Sequence, residues 1–62
     1  MKSPMQTLIE NSIMNNVQII NEARKILTKP LSATLRDNYL DTIKNCNSEI
    51  TLMQSIRKKF NQ

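Results

Sequence analysis

No glycine and no histidine occur in this chain of 62 residues. Without glycine there is no phosphate-cradling loop, and tight turns are few. Without histidine there is no imidazole base and no Cys/His zinc cluster. The single cysteine, Cys46, excludes an intramolecular disulfide, and one free thiol makes the reducing cytosol the expected compartment. Aromatic residues are limited to Tyr39 and Phe60. Uninterrupted apolar runs stop at two residues, as at Ile19-Ile20, so no segment can span a bilayer. The first residues, MKSPMQ, lack the apolar core of a signal peptide.

No enzyme constellation is present, and no cofactor is expected. Cys46 reads as a small core hydrophobe rather than a nucleophile. Asp37 and Asp41 share a helix face, but two carboxylates make a poor metal site. Their expected role is to pair with Arg24 or Lys25 across the fold.

What is there is helical. Ser3-Pro4-Met5-Gln6 is a start signal: Ser3 can cap, proline suits the first helical position, and Gln6 completes a capping box. From Met5 the apolar residues keep a helical period through Leu27. Pro30 has no backbone N–H and ends this run. Ser32 can cap a second helix. The expected helices cover about residues 4–28 and 32–60 of a single domain, 1–62. Their short connection favours antiparallel neighbours, hence an all-α two-helix hairpin. A continuous helix kinked at Pro30 is the alternative.

The second helix carries a heptad seam: Tyr39, Ile43, Cys46, Ile50, Met53 and Phe60, with Arg57 at the one missing position. The first helix has a wider apolar face. Ile9, Ile13, Ile20 and Leu27 lie on one side of it, and Leu8, Ile19 and Ile26 on the other. Small or polar residues run down the middle: Ser12, Asn16 and Ala23. Folding the hairpin sets Ala23 opposite Tyr39, and Asn16 opposite Cys46 near both helix midpoints.

A chain this short buries only about 60% of its unfolded surface and is marginal alone. With neither disulfide nor metal to hold it, oligomerisation is the remaining device. Two hairpins face to face form a four-helix bundle, with a two-fold axis through the middle bringing Asn16 near its own mate. Asn16 then either fixes register, as buried asparagine pairs do, or is satisfied by a nearby backbone carbonyl.

The cations fall at two poles. Arg24, Lys25, Lys29 and Arg36 collect at the loop end, and Lys2, Arg57, Lys58 and Lys59 at the open end. They complement helix dipoles, and with a net charge of +4 they could also attract nucleic acid or an acidic partner. On the outer side of helix 1, Thr7, Asn11, Gln18, Asn21 and Lys25 surround an exposed Met14, with Asn15 on that side or at its edge. Uncharged amides around an adaptable methionine make a candidate recognition face, with Leu52 a further exposed apolar candidate on helix 2.

Length, architecture and the row Met14, Gln18 and Lys25 resemble the Rop family of plasmid-encoded hairpins. That resemblance implies a dimeric four-helix bundle binding paired RNA loops through helix 1, though the family has an aromatic where Met14 stands. The small aspartyl-phosphate phosphatases of sporulating bacteria are also helical hairpins. Their Ser-Gln-Glu-Leu-Asp motif is absent, and residues 37–41, DNYLD, share only its last two residues.

The expectation from sequence is a non-enzymatic regulatory or adaptor protein, a homodimer that binds a protein partner. An RNA- or DNA-binding bundle and a purely structural assembly subunit are the alternatives. The Asn/Ile/Lys-rich composition leads to an expected bacterial or phage origin.

Overall fold

A computed structural model describes residues 3–60. It contains two helices, α1 (Pro4–Leu27) and α2 (Ala33–Phe60), packed side by side as an antiparallel hairpin. Pro30 lies in the connection between them, not inside a kinked helix. The molecule measures 45 × 17 × 12 Å, about the length of its longer helix at 1.5 Å per residue.

The start of α1 is built as the sequence dictates. The Gln6 backbone N–H donates to Ser3 Oγ at 3.2 Å, and the Ser3 N–H donates to Gln6 Oε1 at 3.0 Å. Two of the helix's orphan donors are thereby satisfied reciprocally. At the other end Thr28 closes the helix in right-handed geometry, its hydroxyl donating to the Lys25 carbonyl at 2.6 Å. The Lys29 N–H bonds back to the Ile26 carbonyl at 3.0 Å. Pro30 offers no further donor, so the helix stops there. No described residue has positive φ, so the turn is made without the left-handed cap that glycine usually supplies. Ser32 caps α2 through its hydroxyl, which accepts from the Leu35 N–H at 3.3 Å.

α2 is rich in Asn, Ser and Thr, which are indifferent helix formers because their side chains compete for the backbone. Here that competition is contained within the helix. The hydroxyls of Thr42, Ser48, Thr51 and Ser55 each donate to the carbonyl four residues earlier.

The core is thin. Among the described residues Ile9, Ile20, Ala23 and Cys46 are the buried apolar ones, with Ile9 only 1% exposed. Around them Ile13, Asn16, Leu27, Tyr39, Ile43, Ile50 and Met53 are half-buried. The side of α1 turned to α2 is thus the one bearing Ile9, Ile13, Ile20 and Leu27.

Candidate functional site

The surface of interest is what the hairpin leaves uncovered. α1 carries two heptad rows, one residue out of step with each other. The inner row, Ile9, Ile13, Asn16, Ile20, Ala23 and Leu27, is the one packed on α2. The adjacent row contains Met5, Leu8, Ser12, Ile19 and Ile26. Of these Leu8 is 63% exposed, Met5 and Ile19 are exposed, and Ser12 and Ile26 are half-buried. One helix partner covers one row, so the second stays open.

Toward the loop end this open row borders a groove of about 590 Å³ between the helices. Its floor and walls include Ile19, Ala23 and Ile26 from α1, and Tyr39 and Thr42 from α2. Asn15, Gln18 and Glu22 line it as well. Ile19, Ala23, Tyr39 and Thr42 border this one groove together. An antiparallel hairpin with these four residues at similar heights has level residues whose numbers sum to about 61.

The opposite side of the hairpin is different. Val17 and Leu40 are exposed there, but a shallow depression on α2 mixes Leu40 and Ile43 with Lys44, Asn47, Ser48 and Thr51. Apolar groups on that side are interrupted by polar ones. On the groove side Met5, Leu8, Ile19 and Ile26 outnumber the polar residues, Ser12, Asn15 and Glu22, that interrupt them.

The expected site residues are distributed as follows. Asn11, Met14, Asn15, Gln18, Lys25 and Leu52 are all exposed, and Met14 is 59% so. Gln18 and Lys25 also border a shallow polar depression with Asn21 and Glu22. The cations Arg24, Lys29, Arg36, Arg57, Lys58 and Lys59 are exposed at the two poles. Lys2, placed by sequence at the open-end pole, lies outside the described residues.

Several details of the sequence reading are corrected. Asp37 and Asp41 are exposed and do not hold Lys25, which instead pairs with Glu22 of its own helix at 3.3 Å. Three residues along one helix is a shorter reach than the span between helices. The missing position of the α2 seam is filled by Ile56, which is half-buried, while Arg57 is exposed. A step of three residues from Met53 reaches the same face as a step of four, and the apolar side chain takes it. Phe60, at the end of that seam, is 55% exposed. α1 begins at Pro4, so none of its turns is level with Phe60. Asn16 donates through Nδ2 to the Ser12 carbonyl at 2.8 Å, one turn earlier on its own helix.

Sequence reasoning missed the exposed Val17, Leu35 and Leu40 and the inward Ile56. The seven-residue spacing of Leu35, Thr42, Glu49 and Ile56 was the available signal for Leu35 and Ile56, and it does not include Val17 or Leu40.

Among the described residues no group of His, Cys, Asp or Glu is placed to hold a metal ion, and no helix is long and apolar enough to cross a membrane. No family model matches the chain, and neither does any curated protein or solved structure.

Proposed function

We propose that this hairpin is a non-enzymatic regulatory or adaptor protein that works as a homodimer, binding and modulating a protein partner through its helical surface. The observation that carries this reading is the imbalance between core and surface. Among the described residues four apolar ones are buried, while nine large ones, among them Met5, Leu8, Ile19, Leu35 and Leu52, are exposed. A domain of this size rarely gains enough from so small a core to fold alone, and association is the device left to it. Exposed apolar rows of this kind mark association surfaces.

A second reading, a nucleic-acid-binding bundle, is favoured by one observation. Asn11, Met14, Gln18 and Lys25 form an exposed strip on the side of α1 turned away from α2, on a chain of net charge +4. Two experiments separate the readings. Light scattering at micromolar concentration should give twice the 7.2 kDa chain mass. Affinity capture from cells that make the protein, with and without nuclease, should then retain a protein across a salt titration. Loss of the captured material on nuclease treatment, with a steep fall as salt rises, would replace the adaptor reading by the nucleic-acid one.

A further inference from the structure

We infer that the open row is the seat of a second copy of this chain, held with both loops at the same end of the bundle. This rests on the homodimer reading and specifies its face and orientation. The occupant is argued first from area. A compact monomer of 7.2 kDa exposes about 4,100 Å². This chain exposes 4923 Å², an excess of about 800 Å², close to the share each partner contributes to a standard interface. The radius of gyration, 14.4 Å against about 11 Å for a compact chain of this length, reflects the same uncovered shape.

The orientation follows from what is level with what. α2 continues the open side with its own row at the same seven-residue spacing: Leu35, Thr42, Glu49 and Ile56, with Asn38, Asn45 and Leu52 between them; half-buried Ile56 lies at the border of this row and the seam. A two-fold axis parallel to the helices preserves height along the bundle. It sets α1 of one copy over α2 of the other in the register that each hairpin already has.

At the open end Met5 then meets Ile56 and Leu8 meets Leu52. In the middle Ser12 meets Glu49 and Asn15 meets Asn45, both pairs able to hydrogen-bond. Toward the loop Glu22 meets Asn38, Ile26 meets Leu35, and Ile19 meets the half-apolar Thr42. Apart from Ile19 on Thr42, apolar residues face apolar ones and polar residues face polar ones.

The other face-to-face arrangement, with loops at opposite ends, sets α1 on α1 and α2 on α2 in reversed height. Leu8 is then level with Glu22, Ser12 with Ile19, and Leu52 with Asn38. Three layers bury a polar group against an apolar one, which is costly without a partner. Charge does not choose between the two. Residues 16–46 carry five cations and three carboxylates, and the remaining residues four cations and two carboxylates, so each half has the same net charge.

The test uses the full chain. In a Cys46→Ala background, a spin label is placed at Thr34→Cys beside the loop, and the label-to-label distance is read by pulsed electron resonance. Same-end loops give a distance under about 30 Å, since helices in a bundle lie 8–10 Å apart. Opposite-end loops give a distance near the 45 Å length of the hairpin, which overturns the inference while leaving the homodimer intact. Leu8→Glu and Val17→Glu, on opposite sides of α1, test the face. Leu8→Glu should weaken the dimer at least about 100-fold, since each dimer buries two new carboxylates, and Val17→Glu should not weaken it. The reverse ranking overturns the assignment of the face. A wild-type chain that stays monomeric at micromolar concentration removes both the homodimer and this inference.

Discussion

Replacing Asn16 by leucine tests how the polar residue in the middle of α1 is accommodated. Its amide donates to the Ser12 carbonyl, which as a residue of α1 also receives the helical N–H of Asn16 itself. Leucine removes one hydrogen bond, worth about 0.5–1.5 kcal/mol net, but leaves no orphaned acceptor behind. It adds apolar surface at a half-buried position, about 1 kcal/mol, or roughly half of a full leucine burial. It also replaces a middling helix former by a good one, for about another 0.5 kcal/mol. The balance is a gain of about 0.5 kcal/mol.

Urea denaturation at fixed chain concentration measures this, with a rise in midpoint of a few tenths molar. Fixed concentration matters because association shifts apparent stability. Mass by light scattering should be unchanged, since Asn16 faces α2 and not the open row. A loss of more than about 0.5 kcal/mol would refute the reasoning. It would mean that the amide makes bonds the hairpin alone does not provide. A changed mass would restore the register role for this residue.

Three further changes have definite expectations. Ser3→Ala removes the capping box and should cost about 1 kcal/mol, read as a lower denaturation midpoint with α1 frayed in hydrogen exchange. Ile56→Ala should cost about 1–2 kcal/mol and Arg57→Ala less than about 0.5, because the isoleucine takes the seam position and the arginine does not. Equal costs in the two melts would reverse that assignment. Lys25→Gln breaks a pair whose side chains are 74% and 69% exposed, and should move the melt by no more than about 0.5 kcal/mol.

The helix ends were legible in the sequence because each is decided within four residues. Ser3, Pro4 and Gln6 build the first cap among themselves, Pro30 ends α1 by lacking a donor, and Ser32 caps α2. Side-chain pairing was not legible in the same way. Met5, Leu8, Ile19 and Ile26 are as apolar as Ile9, Ile13, Ile20 and Leu27, so the period of α1 alone cannot say which row receives α2. Only the packed hairpin makes that choice. Arg57 was placed on the seam by strict four-three stepping, which ignores that Ile56 reaches the same face at lower cost. Phe60 was assigned to the core on its spacing, although the seam outlasts the partner helix that could cover it. The outer strip of Met14 and Gln18 was visible because it needs no partner to define it.

The two rows on α1 constrain any function more than the exposed residues taken singly. Rows one residue out of step point about 100° apart on a helix, so no single straight helix can lie on both. In the proposed dimer the two-helix hairpin presents half of a larger packing pattern. Whatever fills the rest must itself offer residues at heptad spacing, apolar at both ends and polar in the middle, where Ser12 and Asn15 interrupt the row. A flat or irregular surface would leave those groups buried without partners, at a cost of about 1–3 kcal/mol each. The polar residues inside the greasy stretch 8–20 thus divide by role. Asn16 satisfies itself on its own helix. Ser12 and Asn15, one residue out of phase with the inner row, would discriminate among docking helices in the proposed dimer.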